Sequence, residues 1–153
     1  MSWVDQYRAE GRLDGRCLCG AVRIRVDGKH IAAVGMCHCG KCQLSNGVAW
    51  AAFEAEADAV TWTGDVARYA STPFAERAFC PVCGSNLWLR NTDSDDAAYE
   101  LMPGLFPAAA GFPLISEIYI DCAPAYAAMS GDHRTKTRAE YEANNAHVEG
   151  DDP

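Results

Sequence analysis

Cysteine placement constrains this chain more than any other feature. Eight cysteines occur in 153 residues, at positions 17, 19, 37, 39, 42, 80, 83 and 122. Seven of them fall into three tight groups, Cys17-Leu18-Cys19, Cys37-His38-Cys39-Gly40-Lys41-Cys42 and Cys80-Pro81-Val82-Cys83. An even count suits a disulfide framework, but small disulfide-rich folds are secreted. Residues 1–12 (MSWVDQYRAEGR) lack an apolar stretch with a small-residue cleavage site, so no export signal is expected and a cytoplasmic chain is. A bridge within Cys-x-Cys would also close a very small, strained ring. Thiolates two or three positions apart instead converge on one ion, each sulfur about 2.3 Å from it. Metal ligation is therefore expected in preference to buried, reduced core cysteines. Soft thiolates with no carboxylate pattern beside them favour zinc over iron.

The ligand count is informative. A closed structural site takes four thiolates, so seven clustered cysteines complete one site and leave three for a metal with an open position. Several partitions satisfy that count. One joins Cys17 and Cys19 to Cys80 and Cys83 and leaves Cys37, Cys39 and Cys42 to hold an ion from a single loop; spacing alone does not select it. His38 lies between two of these cysteines, so in extended chain its side chain points away from theirs and supports or packs behind the ligands. His30, His133 and His147 have no such context and are expected at the surface. Cys122 is isolated in Ile120-Asp121-Cys122-Ala123-Pro124 and is expected to be a buried structural thiol.

The rest of the pattern describes a single mainly β domain with metal knuckles at its turns. Ala21-Val22-Arg23-Ile24-Arg25-Val26 alternates apolar and basic residues, and Asp27-Gly28 supplies a turn. Further strands are expected near 31–36, 48–54, 59–63, 66–70, 76–79, 86–90, 97–102 and 115–121, the last burying Ile118 and Ile120. Only 135–146 reads as helix, and 148–153 as an acidic tail. The net charge of −8 argues against a broad grip on nucleic acid or anionic lipid. No apolar run exceeds Val48 to Phe53, far short of the roughly 18 residues a membrane helix needs. Charge is uneven, however. Residues 1–50 hold seven of the 13 Lys and Arg but only four of the 21 Asp and Glu, an excess suited to offsetting thiolates or attracting an anion.

Several of these motifs together resemble a known family. Gly15-Arg16-Cys17-Leu18-Cys19-Gly20-Ala21-Val22, Cys37-His38-Cys39-Gly40-Lys41-Cys42, and Tyr69-x-Ser71 leading to Arg77-Ala78-Phe79-Cys80-Pro81-Val82-Cys83-Gly84-Ser85 occur in that order. They resemble the glutathione-dependent formaldehyde-activating (GFA) family, which includes centromere protein V, over residues 11–128. The segment 129–153 is left as a C-terminal helix and tail. The resemblance implies a single β-tent zinc domain with two zinc ions per chain; a three-thiolate site can lose its metal, so the second ion is expected to be either labile or absent. It assigns Cys17, Cys19, Cys80 and Cys83 to a structural zinc, and Cys37, Cys39 and Cys42 to a catalytic zinc whose open position receives the glutathione thiol. The implied activity is that of a carbon–sulfur lyase joining glutathione to formaldehyde. Lys41 and Arg77 are the candidate contacts for the peptide's carboxylates, with Arg90 a weaker one. The chain departs from the usual family pattern at three places. Gly104-Leu105-Phe106-Pro107 lacks an Asp, Glu117 stands where a His often opens the late strand, and Tyr126 where a Trp often follows. Two other readings compete: a non-catalytic zinc module in which His38 or Cys122 closes the trio, and a redox enzyme acting through Cys122.

Overall fold

The computed structural model describes residues 2–148 and is mainly β. In chain order its principal elements are β1 (Arg8–Arg16), β2 (Arg23–Ile31), β3 (Val34–Cys37), α1 (Gly40–Asn46), β4 (Trp50–Ala55), β5 (Val60–Thr63), β6 (Ala67–Thr72), β7 (Ala75–Phe79), β8 (Asn86–Asn91), β9 (Tyr99–Leu101), β10 (Leu114–Ile118), β11 (Arg134–Lys136) and α2 (Arg138–Glu142). The chain divides into two compact units, one formed by residues 1–33 and 52–112, the other by 34–51 and 113–153. Among the described residues no helix is long and apolar enough to cross a membrane.

In the first unit, β2 is the organising strand. Its alternation holds: Arg23 and Arg25 are exposed, whereas Ile24 and Val26 are buried. It pairs antiparallel with β1 from Arg8↔Ile31 to Arg16↔Arg23, and on its other side with β5 from Arg23↔Thr63 to Val26↔Val60. The strands β4, β9, β8, β7 and β6 follow one another as antiparallel neighbours. Between these layers lie Val22, Ile24, Val26, Phe53, Leu87, Trp88, Leu101 and Phe106, all essentially inaccessible to solvent. Phe53 meets Phe106 edge-on at 5.2 Å, and Trp88 meets Tyr99 likewise at 5.3 Å. Each large buried side chain contributes about 1.5–3 kcal/mol.

Two local expectations are corrected here. Asp27-Gly28 does not turn the chain; β2 runs through it to Ile31. Gly28 sits opposite Gly11, and both have φ near +148°, which lets the paired strands continue. A Cβ on Gly28 would lie 2.9 Å from the Ala59 side chain, so Gly is required for space as well as for φ. The nine-residue strand β1 was not anticipated. Its polar, Gly-containing sequence has little intrinsic strand preference, and its pairing with β2 is what holds it extended.

One cross-strand pair in this unit makes stability depend on pH. Glu54 lies opposite Glu100. Burial raises the Glu100 carboxyl from 4.5 to about 7; the Glu54 charge adds to that rise and Arg77 partly offsets it. An acid whose folded value lies above its unfolded one holds its proton more tightly when folded. Stability is therefore lost as pH climbs from about 4.5 to about 7. Glu100→Gln should stabilise the protein at pH 8 by on the order of 1–2 kcal/mol, and by less at pH 5.5. Urea unfolding of both proteins at the two pH values checks this, and an equal difference at both would refute the assignment.

The second unit is built on parallel pairing. β10 lies between β3 and β11, with Met36↔Glu117 and Cys37↔Ile118 on one side and Glu117↔Thr135 on the other. The helix α1 was not foreseen, because seven residues holding Gly and a ligand-type cysteine carry little helical signal. It ends where Gly47, at φ 82°, donates its N–H to the Gln43 carbonyl. The C-terminal helix exists but is shorter than expected. It opens on a reciprocal cap in which Thr137 and Glu140 bond one another's backbone N–H. In β10 the buried parity is the reverse of the expected one: Ile115, Glu117 and Tyr119 face inward, and Ile118 and Ile120 are only half-buried. The strand stops at Ile118, because Tyr119 takes a left-handed φ of 56° into a single 3-10 turn over Ile120–Cys122. Most of the acidic tail lies outside the described residues.

Candidate metal centres

The first cysteine cluster lies wholly in the first unit. Cys17 leaves β1 and turns back at once, its N–H bonding the Val22 carbonyl at 3.0 Å and its carbonyl accepting from Gly20 at 3.1 Å. Cys80 leaves β7 and closes a matching turn, with Gly84 N–H on its carbonyl at 2.8 Å. Gly20 and Gly84 have φ values of 79° and 75°, so both knuckles turn on a left-handed glycine. The sulfurs of Cys17, Cys19, Cys80 and Cys83 all fall within 4.8 Å of one another, Cys17–Cys19 at 3.6 Å and Cys19–Cys80 at 3.8 Å. Four sulfurs placed tetrahedrally at zinc–sulfur distances lie about 3.8 Å apart, so the cluster fits a closed tetrathiolate site. Ser85 stitches the knuckles together. Its hydroxyl accepts the Leu18 N–H at 3.0 Å and lies 3.2 Å from the Cys83 sulfur. The Ser85 hydroxyl, with backbone N–H groups, brings the Cys83 thiol down to about 5, ready to serve as thiolate.

The second cluster lies wholly in the second unit. Cys37 ends β3, Cys39 caps the N-terminus of α1, and Cys42 is buried in its first turn. Their sulfurs are mutually within 4.8 Å, Cys39 to Cys42 at 3.3 Å. No fourth His, Cys, Asp or Glu atom joins them among the described residues, and neither His38 nor Cys122 is part of the group. The neighbouring sulfurs of Cys39 and Cys42, and then burial, push the Cys37 thiol well above its ordinary value. Three crowded sulfurs cannot all ionise unless a cation offsets their charge, so this donor set suits a soft divalent ion with one position left over.

What holds the trio is a cluster that the cysteine spacing did not reveal. His38 is fully buried, and its Nε2 lies 2.7 Å from Oε1 of Glu117, itself 2% exposed. The other Glu117 oxygen takes Nε2 of His133, whose side chain is 5% exposed. An ionised carboxylate only accepts, so both imidazoles donate to it. The His38 backbone N–H also bonds the Ile118 carbonyl at 3.0 Å. Gln43 donates its side-chain amide to the His38 and Cys122 carbonyls, at 2.8 and 2.9 Å. In extended chain, alternate residues point to opposite sides. Drawing His38 inward onto Glu117 therefore turns Cys37 and Cys39 to the other side, where Cys42 meets them. His38 is thus packed behind the loop and is not part of the three-sulfur group.

His133 and His30 are not surface residues: His133 supports His38, and His30 is 7% exposed, stacked near Phe112. His147 is exposed as expected. The local signal for Glu117 was its place on the same parity as Ile115 and Tyr119, but a charged residue on that parity reads as outward-facing until its partners are known.

The remaining candidates are separated. Lys41 is half-buried in α1, between two of the trio's cysteines. Arg77 belongs to the first unit, buried on β7 between Tyr69 and Leu89. Arg90 is occupied with the Ala97 and Asp95 carbonyls and lies 4.3 Å above the Tyr99 ring. Cys122 is half-buried rather than buried, and Tyr126 is largely exposed, its hydroxyl donating to the Gly47 carbonyl at the end of α1.

Comparison with known proteins identifies relatives of this chain. The family model for glutathione-dependent formaldehyde-activating enzyme matches residues 12–121. An uncharacterized lyase of Schizosaccharomyces pombe is 29% identical over 112 residues, covering 72% of this chain and 80% of the yeast protein. A Halomonas elongata protein, provisionally named as a glutathione-dependent formaldehyde-activating enzyme, is 35% identical over 86 residues, covering 50% of this chain and 55% of its own. The crystal structure of a Rhodobacter sphaeroides protein shares the fold at a TM-score of 0.52 and 22% identity, over 66% of this chain and 98% of that one.

Proposed function

Since the chain belongs to the glutathione-dependent formaldehyde-activating enzyme family, we propose that it is a zinc-dependent carbon–sulfur lyase acting in the cytoplasm. Its reaction joins a thiol, glutathione first among candidates, to formaldehyde or a related aldehyde. The observation that carries this reading is the three-sulfur group of Cys37, Cys39 and Cys42, which gains no fourth protein donor among the described residues. A trio of this kind is the donor set of a metal that keeps one position for a substrate. The same observation disfavours a purely structural second site. The four-sulfur group supports a structural role for the other metal.

The overall change is simple. The thiol's S–H bond breaks, a sulfur–carbon bond forms at the aldehyde carbon, and the proton ends on the former carbonyl oxygen. Zinc at the trio would lower the pKa of an incoming thiol and hold its sulfur in place. This chain's residues orient that position. Cys37, Cys39 and Cys42 supply the donors, His38 and Gln43 set the loop, and Glu117 with His133 fixes His38. Glutathione carries two carboxylates toward a centre already rich in thiolate, so it needs cationic partners. We assign Lys41, which lies in α1 between Cys39 and Cys42, to that task; Arg77, buried on β7 of the other unit, is left to the packing of that sheet.

Two measurements test the reading. Metal analysis should give two zinc ions per chain, and in the cobalt-substituted protein glutathione should shift the absorption of one ion only. Exchange spectroscopy should show the protein accelerating adduct formation between glutathione and formaldehyde. Glutathione that leaves the cobalt spectrum untouched, together with unaccelerated exchange, would sink the proposal.

A further inference from the structure

The β1–β2 hairpin carries a charge arrangement that the metal chemistry does not use. Arg16 and Arg23 face one another directly across the two strands. Like charges in that position are mutually destabilising unless something lies between them. Local acid is already committed, since Asp14 gives one oxygen to Arg12 and the other to Arg25, each at 2.9 Å. Arg16 sends its Nη1 to the carbonyls of Cys17 and Leu18, both at 3.1 Å, which fixes its guanidinium without neutralising it. Among the described residues the Arg23 guanidinium makes no hydrogen bond or ion pair. Such a basic locus is unusual in a chain of net charge −8.

A cleft of about 480 Å³ opens over this pair, walled by Asp14, Arg16, Arg23, Ser85, Leu105 and Pro107, the Asp14 carboxylate being held by Arg12 and Arg25. A second lobe of about 440 Å³ shares Arg23 and continues along Thr61, Trp62 and Thr63. Both volumes fall within the range of small-molecule sites. We propose that this cleft binds a small organic oxyanion, its charged head between the Arg16 and Arg23 guanidiniums and its body against the Leu105–Pro107 wall. Guanidinium forks suit phosphate and carboxylate heads alike, because each N–H pair matches two oxygens of the anion. Cys17 borders the cleft, but a sulfur-closed metal site offers an anion no free position, so the arginines are what attract it.

Phenyl phosphate is a suitable probe, titrated by calorimetry into the zinc-loaded full chain, with inorganic phosphate as its headgroup alone. Saturable one-to-one binding is expected, weaker for inorganic phosphate and weakening as salt rises. Arg23→Gln and Arg16→Gln should each reduce affinity roughly tenfold or more, as befits a lost charge-assisted pair. Lys29→Gln, the same charge change further along β2, should leave it unaltered. Zinc content and unfolding midpoint, measured on each variant, separate lost binding from lost folding, and Arg23→Lys supplies a milder second variant. Absence of saturable binding, equal affinity for the two probes, or unchanged affinity in a folded Arg23→Gln protein overturns the proposal. So does an Arg23→Gln protein that sheds zinc where the native chain binds no anion, because Arg23 would then only balance thiolate charge.

Discussion

Cys42→Ser is expected to lower the metal content from two ions per chain to one and to abolish adduct formation. Cys42 is 2% exposed within α1, and serine replaces its sulfur with a smaller, harder oxygen that a soft ion accepts poorly. Loss of residues that merely support a metal ligand costs about 10–100-fold in affinity or activity, so loss of the ligand itself should exceed a hundredfold. The four-sulfur cluster lies in the other unit and should keep its ion. Serine is close to cysteine in volume, so the unfolding midpoint should move little compared with the activity. Metal analysis and turnover on the same preparation decide the matter. A Cys42→Ser protein with two tightly held ions, or with native turnover, would remove the open-site reading altogether.

The second large effect is expected at Glu117. Its carboxylate is 2% exposed and receives two imidazoles, so deleting it strands both His38 and His133 in the interior. Glu117→Ala should destabilise the protein by about 3–5 kcal/mol, the usual result of removing one partner from a buried polar cluster. Glu117→Gln is the sharper test. Its amide keeps the shape but has one acceptor oxygen, so only one of two donating imidazoles is served. The freed histidine loosens the Cys37-His38-Cys39 loop, and zinc affinity at the trio should fall about 10–100-fold. Competition against a chromophoric chelator would report this as one fast and one slow metal per chain. Both variants retaining native stability and native affinity would show that the cluster has no supporting role.

Legibility in the sequence varied with how local each interaction is. The cysteine groups were readable because metal ligation imprints short, fixed spacings: Cys17-x-Cys19 and Cys80-x-x-Cys83 each form one turn, and only their pairing needed the fold. The core strand β2 was readable because Ile24 and Val26 alternate with arginines. Strand β1 was not, since Arg8–Arg16 owes its extension to nine residues of β2 opposite it. Glu117 and His133 were missed for the same reason at longer range. A carboxylate is tolerable in the interior only when its partners are known, and those partners lie 79 and 16 positions away. Ser85 was quoted in a motif but carried no role there, because the Leu18 N–H it accepts belongs to the other knuckle.

The parallel pairing of β10 with β11 has a consequence for biogenesis. All four sulfurs of the first cluster are present once the growing chain has passed Cys83, and Gly84, Ser85 and β8, which complete its knuckles, follow directly. The three sulfurs of the second appear before Trp50, yet Glu117 and then His133 arrive much later, with β11 last. The two centres are thus completed in the reverse of the order in which a reader of the trio would guess. A nascent chain can bring its four sulfurs together while the three-sulfur group still lacks the strand that sets its loop. On the proposed reading, chemistry at the trio would be withheld until the C-terminal part of the chain has been laid down.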